Sequence, residues 1–194
     1  MNNFLKIAAN VPCMPLLLAL ARAEKAQGIW KEDTYLRDYP QGPFAHTESV
    51  ILRFPPRTVH ETEEALEKHT AQFDQHENVD LPPFKLLTEA RPLVFNLMAM
   101  VQGERLGRVM INKLRPGGVI YPHADTPVHA NYWDRFHICL QSAPGSNFRC
   151  GDEWVTMQAG DVWWFNNVLE HEVLNNSADD RIHLIIDVRT SKPC

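Results

Sequence analysis

The stretch RVMINKLRPGGVIYPHAD, residues 108–125, decides the fold, because it joins two short apolar segments through a tight-turn sequence. The segments Arg108–Leu114 and Val119–Tyr121 have the length of strands, and Pro116-Gly117-Gly118 is typical of a turn. The same alternation continues along the chain through the apolar segments 136–141, 148–150, 154–157, 162–165, 172–174 and 182–188. Regularly spaced short strands predict a mainly β fold with flanking helices: a double-stranded β-helix, or cupin-like jelly roll.

The first 106 residues have a mixed pattern that predicts a helical N-terminal region. The expected elements are helices over about 14–26 and 62–73 and from near Pro92 to Gln102, a strand at Ser49–Phe54, and a polar linker at Glu77–Pro83. We therefore expect a single domain over residues 1–194. Its N-terminal part, residues 1–106, would pack on a jelly-roll catalytic core, residues 107–190.

Composition excludes several classes of protein. A net charge of −5 argues against a general nucleic-acid binder, which needs a basic face. No apolar run reaches the ~18 residues of a membrane span, and Pro12 and Pro15 interrupt the segment that most resembles a signal peptide. The four cysteines form no Cys-x-x-Cys pair and suggest no disulfide framework, which favours a cytoplasmic location.

His123, Asp125 and His171 form a candidate metal site. Residues two apart on an extended segment face the same way, so His123 and Asp125 can reach one point. Two histidines and one carboxylate are the ligands of non-haem Fe(II) sites that leave one face of the metal open to a co-substrate and O2. In a chain with nine histidines, however, His-x-Asp alone is more often chance or a surface pair.

Arg181 changes this balance. It follows His171 by ten residues and opens the apolar strand 182–188. An arginine at the head of a buried strand is costly unless it meets an anion, and its planar group suits a carboxylate. A metal triad with an inward arginine implies a dicarboxylate that chelates the metal at one end and pairs with arginine at the other. 2-Oxoglutarate is such a molecule.

Four segments then carry a family resemblance: residues 114–125, 135–140, 159–173 and 180–188. Together they resemble the aspartyl/asparaginyl β-hydroxylase family of Fe(II)/2-oxoglutarate-dependent dioxygenases. The chain is also similar to the bacterial free L-proline cis-4-hydroxylases. It ends soon after its last core strand and lacks their further C-terminal segment, which weakens proline as the expected substrate.

The resemblance implies a role for each matching residue. His123, Asp125 and His171 fall on the iron ligands, and the mammalian peptide hydroxylases of the family lack the Asp that this chain keeps. Further residues would bind 2-oxoglutarate: Arg181 its distal carboxylate, Arg135 and His137 its metal-side carboxylate, and Asn112 at a position where peptide-hydroxylating relatives have serine.

We thus expect a hydroxylase that uses Fe(II), 2-oxoglutarate and O2 to attack an unactivated C–H of an amino acid. Succinate and CO2 would be released. The partner is then a small-molecule amino acid or a peptide, not a nucleic acid or a membrane. Two alternatives remain: a metal-binding cupin-type sensor or isomerase without 2-oxoglutarate turnover, and a non-catalytic binding module. The sequence does not identify the substrate.

Overall fold

The computed structural model describes residues 2–39, 42–57, 62–64, 74 and 76–191. The strands are β1 (Phe4–Ala8), β2 (Thr47–Phe54), β3 (Val79–Asp80), β4 (Gly103–Leu114), β5 (Val119–His123), β6 (Asp134–Gln141), β7 (Ser146–Cys150), β8 (Glu153–Val155), β9 (Val162–Phe165), β10 (His171–Asn175) and β11 (Arg181–Thr190). The helices are α1 (Met14–Gln27), α2 (Pro82–Leu86), α3 (Ala90–Met100) and α4 (Pro127–Ala130), together with a 3-10 turn at Ile29–Lys31.

These strands form two antiparallel sheets. The larger has the order β1-β9-β6-β11-β4-β2-β3, and the smaller has the order β5-β10-β7-β8. The N-terminal part of the chain contributes β1, β2 and β3 to the larger sheet. Every pairing between neighbouring strands is antiparallel, as the predicted jelly roll requires.

The larger sheet is buried on both faces, so the side chains of its central strands are buried on both sides. Its outer face packs against α1 and α3, where Leu16 and Leu97 meet Ile111, Leu184 and other aliphatic residues. A second cluster fills the space between the two sheets, and it includes Leu114, Cys139, Phe148, Phe165 and Val173. The inner face of the larger sheet therefore lines the interior of the barrel.

Strand register arranges the inward-facing side chains of the larger sheet in rows across β4, β11 and β6. The rows are Asn112–His183–Cys139, then Met110–Ile185–His137, then a row in which Asp187 lies opposite Arg135. A β-bulge in the last row sets Gly107 and Arg108 against the single residue Asp187. Polar residues thus occupy both ends of an interior surface whose middle is partly apolar.

Several expectations for the N-terminal part were confirmed, and others were wrong. The helix expected over 14–26 and the strand expected at Ser49–Phe54 correspond to α1 and β2. The sequence reasoning missed β1, which adds to the sheet beside β9. The stretch Glu77–Pro83 is not only a linker, because it contains β3 and the start of α2. Most of the helix expected over 62–73 lies outside the described residues.

The helix expected from near Pro92 begins earlier, at Ala90. Pro92 falls in the first turn, where backbone N–H groups have no partner within the helix, so the missing N–H costs little.

Two expectations from composition can also be compared with the structure. Cys13, Cys139 and Cys150 are free, buried thiols. The cytoplasmic location inferred from cysteine usage stays a prediction. Within the part of the chain that the structure describes, no helix has the length and apolar character needed to cross a membrane.

Candidate metal centre

The two strands β5 and β10 bring the predicted triad together. His171, the first residue of β10, lies opposite His123, the last residue of β5, and their ring centroids are 4.3 Å apart. Asp125 follows β5 by two residues. One ligand atom from each of the three side chains lies within 4.8 Å of the others. The sequence motif thus becomes a compact three-ligand cluster.

Backbone hydrogen bonds fix the tautomer of both histidines. His123 Nδ1 is 2.7 Å from the carbonyl oxygen of Tyr121, and His171 Nδ1 is 2.9 Å from that of Leu169. A carbonyl only accepts, so each Nδ1 donates and each Nε2 keeps a free lone pair for a metal. Burial is the main cause that lowers the pKa of His123, and burial followed by the proximity of His123 lowers the pKa of His171 to about 4. Both rings are therefore neutral at pH 7.

Asp125 is held as an oriented carboxylate. Arg135 Nη1 lies 2.8 Å from Asp125 Oδ2, and Asn167 Nδ2 donates to the same oxygen at 2.9 Å. Burial alone would raise the pKa of Asp125, but the charge of Arg135 and the hydrogen bond from Asn167 outweigh it, so the pKa is lowered. Sequence reasoning missed Asn167, because nothing in its position after β9 indicates that it reaches Asp125.

Arg135 joins the metal cluster to a buried carboxylate. Its Nε and Nη2 donate to the two oxygens of Asp187 at 2.7 and 3.0 Å, while His129 Nε2 lies 3.0 Å from Asp187 Oδ2. Burial would raise the pKa of Asp187, but Arg135 and then His129 hold it well below its ordinary value. The structure therefore places Arg135 on Asp125 and Asp187, and its predicted contact with a bound 2-oxoglutarate stays a prediction.

Arg181 is a buried cation without an anion. Its side chain is among the largest that are fully buried, and it has no salt bridge to any described carboxylate. Its described polar contact is a hydrogen bond from Nη2 to His183 Nδ1 at 3.1 Å, and its guanidinium lies 5.7 Å from the centre of the Phe148 ring. Burial lowers the pKa of Arg181 to about 10, which still leaves it charged at pH 7.

Two further donors without partners lie near Arg181. Asn112 Oδ1 accepts from Ser49 at 3.0 Å, which leaves the buried Asn112 Nδ2 without a hydrogen-bond partner among the described residues. His183 Nδ1 accepts from Arg181, so the proton of His183 lies on Nε2, which is also buried and unpaired there. Asn112 and His183 are direct neighbours across β4 and β11. This cation and the two orphaned donors suit a carboxylate, and we call the three side chains together the anion pocket.

His137 completes the inner surface between the triad and Arg181. Its Nδ1 lies 3.3 Å from His183 Nδ1, and its ring packs against Phe148 and Phe165. Burial, followed by the charges of Arg181 and Arg135, lowers the pKa of His137 far below its ordinary value. The structure thus brings all seven predicted site residues onto the facing walls of one barrel, while their individual roles stay predictions.

Comparisons with known proteins agree with this arrangement. The sequence profile described as aspartyl/asparaginyl beta-hydroxylase matches residues 58–191, more than half of the chain. The human and mouse proteins named aspartyl/asparaginyl beta-hydroxylase are each 31% identical over 87 residues. That alignment covers 44% of this chain but 11% of either relative, so the chain spans a small share of their length.

The fold is also found in a solved structure. A viral collagen prolyl hydroxylase from Paramecium bursaria Chlorella virus-1, determined as a 2-oxoglutarate complex, superposes with a TM-score of 0.52 at 12% identity. The match covers 97% of each chain and confirms the predicted jelly roll. Together with the extent of the profile match, the motifs in order show that the chain belongs to the aspartyl/asparaginyl β-hydroxylase family of Fe(II)/2-oxoglutarate-dependent dioxygenases.

Proposed function

We propose that this chain hydroxylates an unactivated C–H of an amino acid, free or within a peptide, and releases succinate and CO2 from 2-oxoglutarate. The observation that carries the proposal is the anion pocket around Arg181, on the barrel interior that also holds the triad. A fully buried guanidinium without a carboxylate partner among the described residues lowers the stability of the fold. A metal-binding cupin without 2-oxoglutarate chemistry offers no reason to retain it.

The donor set fits Fe(II). His123 and His171 would bind it through their free Nε2 atoms, and Asp125 through its carboxylate. When bound, iron and O2 supply the oxidising chemistry that converts 2-oxoglutarate to succinate and CO2 and adds one oxygen atom to the substrate. The hydrogen bonds at Nδ1 of both histidines keep the rings oriented. Arg135 keeps Asp125 ionised, so the carboxylate stays available as a ligand.

The residues of the anion pocket would receive 2-oxoglutarate. Arg181, Asn112 Nδ2 and the Nε2–H of His183 are three donors that a distal carboxylate would satisfy. His137 and Arg135 both lie on β6, where His137 contacts His183 and Arg135 contacts Asp125 of the triad. We expect the metal-side carboxylate beside these two residues. Phe148 and Phe165 pack beside His171, and this ring is buried.

The comparisons suggest the class of the substrate but not the type of residue. The relatives are named for aspartyl and asparaginyl side chains, but the chain aligns with a small share of their length. We therefore propose an amino acid substrate without transferring the residue type.

The test is an anaerobic titration of the protein with Fe(II) and 2-oxoglutarate, followed in the visible range. A metal-to-ligand charge-transfer band is expected for the parent protein and for a His76→Ala control, because His76 lies outside the triad. His171→Ala and Asp125→Ala should lose the band. A mass-spectrometric screen of amino acids and peptides for the gain of one oxygen then identifies the substrate. Metal binding without any 2-oxoglutarate-dependent band would instead favour the cupin-type sensor.

A further inference from the structure

A second arginine on the inner face of the larger sheet has no carboxylate partner among the residues that the structure describes. Arg108 lies on β4, and its guanidinium is 4.9 Å from the centre of the Phe54 ring. It is partly buried, and among the described residues no carboxylate lies within salt-bridge distance of it. Burial is the main cause that lowers the pKa of Arg108, which shows that the surrounding charges do not fully offset the cost of removing it from water.

The nearest acidic group in the sheet is already engaged. Asp187 lies opposite Arg108 across the bulge in β4, but both of its oxygens accept from Arg135. The strands approach each other closely at this bulge, which requires glycine at residue 107, because a Cβ there would lie 3.0 Å from the Cβ of Asp187 and 3.0 Å from the Trp133 ring. Bulges commonly re-aim a side chain beside an active site, and this one directs Arg108 to the row that contains Arg135.

Arg57 provides an instructive contrast within the same aromatic cluster. Its guanidinium lies 4.4 Å from the centre of the Tyr35 ring and 5.2 Å from that of Phe54. Unlike Arg108, it forms a salt bridge to Asp33 at 2.9 Å. Of the two cations stacked on these rings, Arg57 is therefore neutralised by a salt bridge, whereas Arg108 has no such partner among the described residues.

Arg108 and Arg181 lie far apart on the inner surface of the larger sheet. Arg181 lies opposite Leu114, six residues from Arg108 along β4. At about 3.3 Å per residue, the two backbone positions are separated by roughly 20 Å. The carboxyl carbons of 2-oxoglutarate are joined by four C–C bonds of about 1.5 Å, so they are no more than about 6 Å apart. The guanidinium groups also lie beside different rings, that of Arg108 at Phe54 and that of Arg181 at Phe148, so we expect an anion bound by Arg108 to belong to another molecule.

We propose that Arg108 binds a carboxylate of the primary substrate, which is either the α-carboxylate of a free amino acid or the side chain of an acidic residue in a peptide. This proposal rests on the proposed hydroxylase function and specifies its substrate class. The row next to Arg108 supplies an apolar surface for the rest of the substrate, formed by Met110, Ile185 and Ile51. Tyr35, packed on Phe54 at 5.9 Å, borders the same region.

The carboxylate has two sources, and the experiment separates them. Binding is measured by calorimetry on protein loaded with Mn(II) and 2-oxoglutarate, so that no turnover occurs. The probes are the twenty free amino acids, the α-carboxamides of those that bind, and the end-capped peptides Gly-Asp-Gly and Gly-Asn-Gly. A requirement for the α-carboxylate identifies a free amino acid, whereas preference for the aspartyl over the asparaginyl peptide identifies an acidic side chain.

The variant Arg108→Gln should weaken the carboxylate probe by roughly tenfold to a hundredfold, the expected loss of a charge-assisted hydrogen bond. It should also bind the amide and acid forms about equally, with its affinity for 2-oxoglutarate unchanged. Arg91→Gln is the matched control, because Arg91 also lies over a phenylalanine ring, 5.7 Å from that of Phe84, but on α3 outside the barrel. This control should retain the parent affinities.

The proposal is overturned if Arg108→Gln keeps the preference for the acid form, or if no probe binds in a way that this substitution weakens. Failure of the proposed function looks different. In that case, the metal-loaded parent protein does not bind 2-oxoglutarate, while binding of carboxylate probes that depends on Arg108 can still be measured on its own.

Discussion

Replacing Arg181 by methionine should stabilise the protein while it abolishes co-substrate binding. Burial lowers the pKa of Arg181 to about 10 from an ordinary value above 12, and at about 1.4 kcal/mol per pH unit the interior disfavours the charge by about 3 kcal/mol. Loss of the hydrogen bond to His183 offsets about 1 kcal/mol of this gain in stability. The net gain of about 2 kcal/mol predicts a rise in Tm of roughly 4–8 °C without metal or 2-oxoglutarate.

The same substitution removes the only charged donor of the anion pocket among the described residues. Two charge-assisted hydrogen bonds contribute about 3–6 kcal/mol, so the affinity for 2-oxoglutarate should fall at least about a hundredfold. Thermal unfolding measures the first effect, and calorimetric titration of Mn(II)-loaded protein measures the second.

Arg135→Met is the matched control for this prediction. Arg135 is also buried but paired, so its loss leaves Asp187 without its arginine partner and should destabilise the protein by about 3–5 kcal/mol. The reasoning is refuted if Arg181→Met destabilises as much as Arg135→Met, or if it binds 2-oxoglutarate within threefold of the parent protein.

Two other predictions concern the pH dependence of stability and the role of Asn112. The unfolded chain protonates His171 near pH 6.5 but the folded chain only near pH 4, so unfolding binds a proton in this window. The free energy of unfolding of the metal-free protein should thus fall as the pH drops from about 6.5 to 4, by up to about 3 kcal/mol from His171 alone. Urea unfolding of His171→Gln should show a smaller fall over the same pH range. An equal fall in the parent and the variant would contradict the assignment to His171. Asn112→Ala removes an unpaired buried donor and should raise the Kd for 2-oxoglutarate about tenfold. Asn112→Ser retains a donor, so its Kd should stay close to that of the parent protein. Equal Kd values for the two variants would exclude a direct contact between Asn112 and 2-oxoglutarate.

The strands of the jelly roll and the cluster of the triad could be predicted because both depend on local pattern. The segment Val162–Phe165 was predicted with the bounds of β9, since turns at both ends define it. His123 and Asp125 are only two residues apart, and His171 follows a predicted strand, so strand pairing is enough to bring them together.

What the sequence could not provide is the choice of partner for each buried charge. Asp187 follows Arg181 by six residues, an even spacing that puts both side chains on one face of a strand, but this spacing does not reveal that Arg135 pairs with Asp187 from the next strand. That contact depends on the register between β11 and β6, which is set by the whole sheet. The same holds for Asn167, whose contact with Asp125 crosses from the loop after β9 to the loop after β5.

The pairing state of each buried arginine, rather than its burial, therefore separates structural charges from ligand-binding ones. Arg135 is enclosed by Asp125 and Asp187, and both carboxylates are held ionised by it. Arg181 and Arg108 lie toward opposite ends of the larger sheet's inner surface, and neither has a carboxylate partner in the described part of the chain. A folded chain retains such charges at a cost in stability, so each marks a position where an anion is expected. In the proposals above, Arg181 would bind the co-substrate and Arg108 would bind the molecule to be hydroxylated.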